Sequence, residues 1–543
     1  MKGQVEGPVA WLDGDPQITA EIDQCLASGF SRGSRLHHTP RRSVYKLGIA
    51  SLDPSKATRS SIAFKVHHLR SGVRALREGV KRKLLLSSAR REWRALTQLH
   101  ALGVPVPTPR ALGRLPSGDE IVVCDFVEGI PLLDCLTTAD EAMQIALLGS
   151  LAESLEVLYT HGFRHGDLHV GNLMVLASPQ NAREQVILLD VQSATRSRRE
   201  ATRLGDLARL ELSLHRAGFS PRARAAFRTQ LGAGSSFPAA YALFLQDHIR
   251  GRARRVLAIG RRTARAEAGT CRGLRTSRFS NEAFAGALHQ AHLLNADPPS
   301  QKRRNGRVRL FEIESKDGDL IVKQTEAGSW RRAFADRFRG SAAARAFHNA
   351  RAIALLEDRA ATPLAFAEEY RLGLPFKSWL ILERQGEQDL DALRLPPGEP
   401  QERLGRAFGR WLAEGHALGL SHRDAKGNNI RVQKIGDTWH FGWVDLEDLT
   451  GPAVITRADR IRVWAQIGAS LPDAFFRIDA RLAAFDAYEE RMSYANEETG
   501  VPAHRIETLR AIAQASVKRQ HRWLGEDCAC LETQNSESSA GTR

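Results

Sequence analysis

Apolar and polar residues alternate along two pairs of short segments, and this alternation predicts half-buried β-strands. The first pair is SVYKLGI and SIAFKV, joined by DPSKATRS; the second is RVRLFEI and DLIVKQ, joined by SKDG. Each pair predicts a hairpin. A further strand is predicted later in each half of the chain, at EIVVCDFVEG and at SWLILERQG. The pattern therefore predicts two β-rich regions.

Between these strands the apolar positions change to helical spacing. SSARREWRALTQLHALG predicts a helix that Ser87 or Ser88 can cap and Gly103 can end, and the VPVP after it favours extended chain. GSAAARAFHNARAIALLE predicts a helix at the same place in the second half. A long apolar helix then precedes a polar loop in each half, in MQIALLGSLAESLEVLYTHG and ERLGRAFGRWLAEGHALG. Each half is thus predicted to be a small β-rich lobe followed by a larger helical lobe.

The two polar loops repeat one motif. HGDLHVGN begins at His165, HRDAKGNN begins at His422, and each contains H-x-D followed by Asn five residues after the Asp. An apolar strand ending in Asp follows each loop, and a strand carrying a Lys precedes it by about a hundred residues. The matching positions keep nearly one offset: 323 − 65 = 258, 424 − 167 = 257, 429 − 172 = 257 and 445 − 190 = 255.

Four positions in register indicate a tandem duplication of one domain. We expect an α+β fold in two copies, covering residues 1–275 and 276–530, followed by a disordered tail over residues 531–543. The tail, TQNSESSAGTR, is polar and lacks the apolar residues that a packed element needs.

The net charge of the chain indicates which classes of ligand it favours. The 543 residues include 78 Lys and Arg against 62 Asp and Glu, so the net charge is 78 − 62 = +16. A chain this basic favours anionic partners: nucleic acid, phosphorylated sugars or an acidic membrane face. Nine Arg lie between Arg250 and Arg275 against one acid, Glu267. A solvated helix accounts for this segment as well as contact with an anionic surface does.

Other features of composition exclude several classes of protein. No apolar run approaches the ~20 residues that a membrane-spanning helix needs, and the first residues lack the apolar stretch of a signal peptide. Six Cys in 543 residues do not make a disulfide framework. We therefore expect a protein of the reducing cytoplasm.

The repeated residues are the parts of a kinase-type phosphoryl-transfer site. A strand Lys neutralises the α- and β-phosphates of ATP, and the loop Asp accepts the proton of the acceptor hydroxyl and orients it. The loop Asn and the later Asp supply the oxygen ligands that Mg²⁺ prefers. The pattern therefore predicts ATP and Mg²⁺ as cofactors.

In the first copy the catalytic Asp is Asp167, the ATP-binding pair is Lys65 with Glu92 on the following helix, and the metal ligands are Asn172 and Asp190. The second copy has one residue for each role except that of Glu92: Asp424 for catalysis, Lys323 for ATP, and Asn429 and Asp445 for the metal.

The histidines of the chain are expected to be structural. His165 and His422 have no nucleophile or metal partner near in sequence, so each is predicted to pack and hydrogen-bond its loop. The pairs His37–His38 and His67–His68 are expected to lie on the surface.

The first copy resembles the lipopolysaccharide-core kinases, the bacterial family that includes Kdo kinase and heptose kinase. The likeness lies in LREGVKRKLLLSSARREWRALTQLHALGVPVPTP, HGDLHVGNLMV and LLDVQSATRSRREATRLGDLARL. The second copy is similar in SWRRAFADRFRGSAAARAFHNARAIALL, HRDAKGNNIRV and WVDLEDL. The resemblance implies a protein-kinase-like bilobal fold that uses ATP and Mg²⁺ to phosphorylate an inner-core sugar.

The second copy departs from the pattern at the helix partner of its Lys. Aligning the helices places Ala346 opposite Glu92, so Lys323 is expected to lack that partner, with Glu357 or Glu326 as the alternative. We therefore predict that the second copy is the weaker or silent one.

Both copies depart from protein kinases. Neither has D-F-G at the metal Asp or an A-P-E segment, which disfavours a regulated protein kinase, and neither has a full G-x-G-x-x-G. Turns at Gly29–Gly33 and near Gly306 are the candidates for covering the phosphates.

The leading hypothesis is an ATP-dependent kinase acting on an anionic glycolipid or sugar acceptor. An aminoglycoside kinase shares the H-G-D-x-x-x-x-N loop but binds a polycation, which a +16 chain disfavours. A kinase-fold scaffold without turnover is a further alternative. No nucleic-acid motif is present, so no nucleic-acid partner is expected. We expect a cytoplasmic location, with peripheral contact at the inner face of the inner membrane as an extension of that hypothesis.

Overall fold

The computed structural model describes residues 9–27, 33–49, 60–68, 87–137, 139–176, 186–296, 302–304, 307–315, 318–357, 359–472, 476–496 and 501–519. The predicted tail at 531–543, the DPSKATRS connection up to residue 59, the turn residues 29–32 and Gly306 lie outside these residues. The chain folds into two compact units, Met1–Ala240 and Tyr241–Arg543.

The first unit is built on a six-stranded antiparallel sheet in the order β1-β5-β6-β4-β3-β2. Its strands are β1 (Ala10–Gly14), β2 (Gly33–His38), β3 (Arg42–Ile49), β4 (Ser60–His67), β5 (Pro109–Arg114) and β6 (Glu120–Asp125). Ile62, Phe64 and Val66 alternate along β4 and pack into the core below the sheet. The alternation brings Lys65 onto the opposite face of β4.

Helices and short strands complete the first unit. The helices are α1 (Pro16–Ala27), α2 (Ser88–Ala101), α3 (Leu132–Cys135), α4 (Glu141–Thr160), α5 (Glu200–Ala217), α6 (Pro221–Gln230) and α7 (Phe237–Leu257), which runs past the unit's last residue. The strands are β7 (Gly129–Pro131), β8 (Phe163–Arg164), β9 (Leu173–Leu176), β10 (Val186–Leu188) and β11 (Thr195–Arg196). As predicted, Ser87 caps α2, and Gly103 follows its end with φ +73°.

The second unit has a seven-stranded antiparallel sheet in the order β12-β13-β17-β18-β16-β15-β14. Its strands are β12 (Thr263–Ala268), β13 (Cys271–Thr276), β14 (Lys302–Arg304), β15 (Val308–Ile313), β16 (Leu320–Glu326), β17 (Pro363–Arg371) and β18 (Leu374–Glu383). Apart from the extra edge strand β12, this order is the same as in the first sheet. The strands β13, β17, β18, β16, β15 and β14 take the places of β1, β5, β6, β4, β3 and β2. Lys323 on β16 faces Leu310 on β15, as Lys65 on β4 faces Val44 on β3.

The rest of the second unit also follows the first in order. The helices are α8 (Asn281–Ala296), α9 (Trp330–Arg339), α10 (Ala342–Ile353), α11 (Glu399–Ala417), α12 (Arg457–Ser470), α13 (Ile478–Asn496) and α14 (Val501–Val517). The strands are β19 (Gln388–Asp389), β20 (Ser421–His422), β21 (Ile430–Ile435), β22 (Thr438–Trp443) and β23 (Leu449–Thr450). Among the described residues, no helix combines the length and the apolar composition that crossing a bilayer requires.

The arginine-rich segment 250–275 is not one helix. α7 ends at Leu257, and β12 and β13 then form a hairpin whose buried Ala266 and Cys271 join the core of the second sheet while Arg265 and Arg272 are exposed. Small buried residues alternate with arginine along this hairpin, and a period of two residues is that of a strand with one buried face. The interpretation of the segment as a solvated helix is therefore wrong for these residues. This hairpin belongs to the second sheet and lies in the second compact unit, which begins at Tyr241.

Candidate active site

Helix α5 holds the H-x-D loop of the first unit. The Asp206 carboxylate accepts hydrogen bonds from the backbone N–H groups of His165 (2.6 Å) and Gly166 (3.0 Å), and Ser213 Oγ accepts one from Val170 N–H (3.0 Å). Asn172 Nδ2 closes the loop by donating to the Asp167 carbonyl at 2.9 Å. Asp206 and Ser213 were not among the predicted site residues, although both lie in the helix after the metal Asp.

Gly166 is required by this loop. Its φ is +79°, and a Cβ there would lie 2.5 Å from the Ser193 carbonyl oxygen. A side chain would therefore push Ser193 away, together with the turn that follows Asp190.

His165 has the structural role that the sequence predicts. It is buried, its Nε2 lies 2.9 Å from the Leu189 carbonyl, and its Nδ1 accepts from Asp167 N–H at 3.4 Å. Burial lowers the pKa of His165 below its ordinary value. A neutral ring that donates from Nε2 and accepts at Nδ1 satisfies both contacts, so His165 fixes the backbone of the catalytic loop.

Asp167 itself is half-exposed, with 46% of its side chain accessible. Arg209 on α5 donates to its Oδ1 at 3.3 Å, and His169 Nε2 lies 3.9 Å from its Oδ2. A carboxylate that is open to solvent on one side and held on the other is accessible to an incoming hydroxyl group.

The structure brings Lys65 and Glu92 together, as the sequence predicts. Lys65 Nζ lies 2.6 Å from Glu92 Oε1, and His67 Nε2 lies 3.1 Å from Glu92 Oε2. Burial alone would raise the pKa of Glu92, but the charge of Lys65 and hydrogen bonds from His67 and Lys65 lower it well below its usual range. Glu92 is therefore a buried anion with two partners. His67 is buried as well, so its expected surface position is wrong.

Arg42 is the partner of Asp190, and no sequence pattern indicated this pair. The Arg42 guanidinium donates to Asp190 Oδ1 at 3.0 Å across 148 residues of chain. Burial alone would lower the pKa of Arg42, but the charge of Asp190 and its hydrogen bond raise it. Asp190 has φ +55°, a conformation uncommon for a residue with a side chain.

Arg42 stands at the turn between β2 and β3, and this places a hairpin turn, Thr39–Arg42, beside Asp190. The turn is closed by hydrogen bonds from Thr39 N–H to the Arg42 carbonyl (2.8 Å) and from Arg42 N–H to the Thr39 carbonyl (3.3 Å). Gly33 lies at the other end of β2, where it pairs with Leu47. The structure thus places the Thr39–Arg42 turn, rather than Gly33, next to the candidate metal ligand.

A series of side-chain contacts holds this turn. His38 Nδ1 lies 2.8 Å from Ser43 Oγ, Ser43 Oγ lies 2.7 Å from His68 Nε2, and His68 Nδ1 lies 3.1 Å from Asp119 Oδ2. The expected surface position is confirmed for His38, which is exposed, and is only partly right for His68, which is half-buried; both rings contact the buried Ser43. These contacts bind the two strands on either side of the turn to each other.

The residues of the first unit fit a bound Mg²⁺. The hydrogen bond from Asn172 Nδ2 to the Asp167 carbonyl fixes the amide, so its Oδ1 is the atom available to a cation, and Asp190 supplies a carboxylate. No cluster of three or more His, Cys, Asp or Glu able to hold a metal occurs in the part of the chain that the structure describes. Magnesium held partly by substrate phosphates needs only one or two protein carboxylates.

The loop of the second unit repeats these contacts at the same positions. Asn429 Nδ2 donates to the Asp424 carbonyl at 2.8 Å, and Ser470 Oγ accepts from Gly427 N–H at 2.8 Å. His422 is buried, with Nε2 3.2 Å from the Asp445 carbonyl, and burial lowers its pKa. Lys426 pairs with Asp424 at 2.8 Å, where the first unit has His169 two residues after its Asp.

The strand Lys of the second unit is paired differently. Lys323 Nζ lies 2.7 Å from Glu447 Oε1 and also contacts Asp445 Oδ1. The expectation of an unpaired Lys323 is therefore wrong, because its partners come from the loop after β22. Ala346 is buried in α10 at the place of Glu92, as the alignment predicts. The two alternative acids have other contacts: Glu357 binds Arg359, and Glu326 accepts a hydrogen bond from Gln324 at 3.5 Å.

Comparison with known proteins finds one family model that is similar to part of the first unit. A family model described as the lipopolysaccharide kinase (Kdo/WaaP) family matches residues 54–230. This range contains Lys65, Glu92, Asp167, Asn172 and Asp190. The match does not extend to the second unit.

Two solved structures of kinases are similar to the chain. One is WaaP in complex with acyl carrier protein, with 18% identity over 40% of this chain and 87% of that one and a TM-score of 0.30. The other is vaccinia related kinase 3, with 16% identity over 37% of this chain and 69% of that one and a TM-score of 0.22. None of the curated proteins matches the chain significantly. The similarity to the lipopolysaccharide kinase family rests on the sequence match over residues 54–230.

Proposed function

We propose that the first unit is an ATP-dependent phosphotransferase that phosphorylates a sugar hydroxyl of the lipopolysaccharide inner core. The observation that carries the proposal is the family match over residues 54–230 together with the contacts of Lys65, Asp167 and Asp190 inside it. The acceptor is an anionic glycolipid or sugar, Kdo or heptose, which suits the +16 charge of the chain.

Each residue has a separable part in the reaction. Lys65, held by Glu92, contacts the α- and β-phosphates of ATP, and Asp167 orients the acceptor hydroxyl and accepts its proton. Asn172 and Asp190 would hold Mg²⁺, which when bound with ATP would neutralise charge on the phosphates. Asp206, Ser213 and His165 keep the loop rigid, so Asp167 needs no rearrangement before attack.

The Thr39–Arg42 turn is proposed to cover the phosphates. Its position is supported by the Arg42–Asp190 contact, and the series of side-chain contacts from His38 to Asp119 supports its rigidity. Arg42 is a cation beside the metal ligand, so it can pass from Asp190 to a phosphate oxygen when the nucleotide binds.

The second unit is proposed to be a duplicated copy without comparable turnover. The shared strand order and loop contacts support duplication. The carboxylates of Asp445 and Glu447 neutralise Lys323, so nucleotide phosphates must compete with them for its charge. The first unit differs, because there Glu92 approaches Lys65 from the helix and Asp190 has Arg42.

Phosphate transfer to a panel of acceptors tests the proposal. The full chain is incubated with Mg·ATP and core glycolipid, an aminoglycoside or a generic protein substrate, and labelled product is measured. Transfer to the glycolipid alone supports the proposal. Transfer to the aminoglycoside or to the protein would show that the proposed acceptor class is wrong. ATP binding without transfer to any acceptor would favour a scaffold without turnover.

A further inference from the structure

Helix α9 of the second unit is packed with its large side chains outward. Trp330, Phe334 and Phe338 follow one another at intervals of four residues and are 52%, 58% and 78% exposed. The residue buried on the inner face is the small Ala333. A surface helix of a globular protein normally does the opposite, with its large apolar side chains toward the core.

Each of the three exposed rings packs against another ring. The rings of Phe334 and Phe338 stack edge to face with centroids 5.2 Å apart, and Trp330 packs on Phe376 of β18 at 4.4 Å. Beside this helix the turn between β17 and β18 presents Leu372, which is 91% exposed. We call Trp330, Phe334, Phe338 and Leu372 the aromatic patch. Exposed apolar surface of this kind marks a contact surface.

Positive charge surrounds the aromatic patch. α9 carries four arginines, Arg331, Arg332, Arg337 and Arg339, against one acid, Asp336. Asp336 is already paired with Arg339 at 2.8 Å and with Arg345 at 3.2 Å. Among the described residues no acid forms an ion pair with Arg331, Arg332 or Arg337, and helical spacing puts Arg331 and Arg337 on either side of the aromatic residues.

We propose that α9 is a membrane-surface helix, which inserts Trp330, Phe334 and Phe338 into the headgroup layer of an anionic bilayer while its arginines bind lipid phosphates. Trp and Phe on one face with Arg on the flanks are the composition of helices that lie in the plane of a membrane interface. Aromatic rings prefer the headgroup level, and each arginine near an anionic surface adds a screened attraction.

An acidic protein and a second copy of the chain are the other conceivable occupants. An acidic protein would pair with the arginines, but it would not provide the apolar layer that the three protruding rings favour. A self-interface would bring the α9 arginines of two copies together, which like-charge repulsion opposes. In an anionic bilayer, lipid phosphates bind the arginines and the fluid headgroup layer accepts the aromatic rings, so one partner suits both parts of the surface. Lipid binding is independent of phosphate transfer, so the test measures binding alone.

Vesicle flotation of the full chain tests the inference. Wild type is expected to float with phosphatidylcholine vesicles that contain phosphatidylglycerol, less with phosphatidylcholine alone, and less as salt is raised. Phe334→Ser with Phe338→Ser should weaken binding at least about tenfold, and Arg331→Glu with Arg332→Glu should weaken it in a salt-dependent way. Both side-chain pairs are exposed, so the fold is preserved, and circular dichroism checks this.

Matched controls come from the same chain. Leu293→Ser removes an equally exposed apolar side chain on α8, and Arg254→Glu with Arg255→Glu reverses two exposed arginines at the end of α7. Neither should reduce binding as the α9 variants do. The emission of Trp330 is identified as the part of the intrinsic fluorescence that is lost in Trp330→Phe. We expect this emission to shift to shorter wavelength when vesicles are added.

Four results would overturn the inference. The first is equal flotation of wild type and the Phe334→Ser, Phe338→Ser variant. The second is no flotation at all. The third is a dimer, seen by sedimentation, that dissociates in this variant and so assigns the patch to a second copy. Vesicle binding lost only with Arg254→Glu and Arg255→Glu would transfer the membrane contact to α7.

Discussion

The ammonium of Lys65 lies 2.6 Å from the carboxylate of Glu92, and this carboxylate is fully buried. The contact joins β4 to α2, so it fixes the helix against the sheet as well as fixing the lysine. His67 occupies the second oxygen of the same carboxylate. The pair therefore has a structural role in addition to the ATP-binding role that we propose for Lys65.

Replacing Glu92 by Gln should lower both stability and turnover. Removing one partner of a buried ion pair costs about 3–5 kcal/mol, because the other charge is left without compensation. We expect a fall in the free energy of unfolding of about this size, with a reduced kcat/KM for ATP. The matched control is Glu141→Gln, which alters an exposed carboxylate on α4 and should change neither quantity.

The same pair gives a dependence of stability on pH. The pKa of Glu92 is lower in the folded chain than its ordinary value of 4.5, so ionisation favours folding. This contribution is present above that value and is lost as the pH falls toward the lowered pKa. Urea titrations between neutral and acid pH should show a steeper loss for wild type than for Glu92→Gln. If the free energy of unfolding changed with pH in the same way for both proteins, the conclusion that Glu92 is ionised in the folded chain would be contradicted.

Arg42→Gln should change the metal requirement of the reaction. The Arg42 guanidinium competes with a cation for Asp190, so its removal should lower the Mg²⁺ concentration for half-maximal activity by a few-fold. The control is Arg110→Gln, which breaks the pair with Asp125 on the same sheet. An unchanged or higher Mg²⁺ requirement in Arg42→Gln would show that Arg42 does not compete at Asp190.

Asp206→Ala should lower kcat with little change in the KM for ATP. The backbone N–H groups of His165 and Gly166 lose their acceptor, so Asp167 is held less firmly while Lys65 is untouched. We expect a loss on the order of tenfold or more. Asp206→Asn keeps one oxygen acceptor and should recover part of the rate. A purely global effect would instead lower the melting temperature and the rate of both variants together.

The catalytic motifs could be predicted from the sequence because their residues are close along the chain. The loop from His165 to Asn172 and the cap at Ser87 follow from spacing and side-chain chemistry alone. The strand that carries Lys65 follows from alternation. The pairing of Lys65 with Glu92, which lies on a helix that the sequence predicts, spans only 27 residues.

The partners that the sequence did not reveal are distant or depend on register. Arg42 reaches Asp190 across 148 residues, and Glu447 reaches Lys323 across 124. His67 is buried because its strand position turns it toward α2, which a pair of adjacent histidines does not indicate. The hairpin at 263–276 was missed because its many arginines resemble a solvated helix, while its small buried residues carry little apolar signal.

The central claim is that Asp167 of the first unit is the catalytic base, and two matched variants test it most directly. Asp167→Asn and Asp424→Asn are made separately in the full chain, and ATP-dependent phosphate transfer to core glycolipid is measured for each. We expect Asp167→Asn to lose on the order of a hundredfold or more in kcat with ATP affinity nearly unchanged, and Asp424→Asn to retain most activity. Near-normal transfer by Asp167→Asn, with loss in Asp424→Asn, would contradict the account.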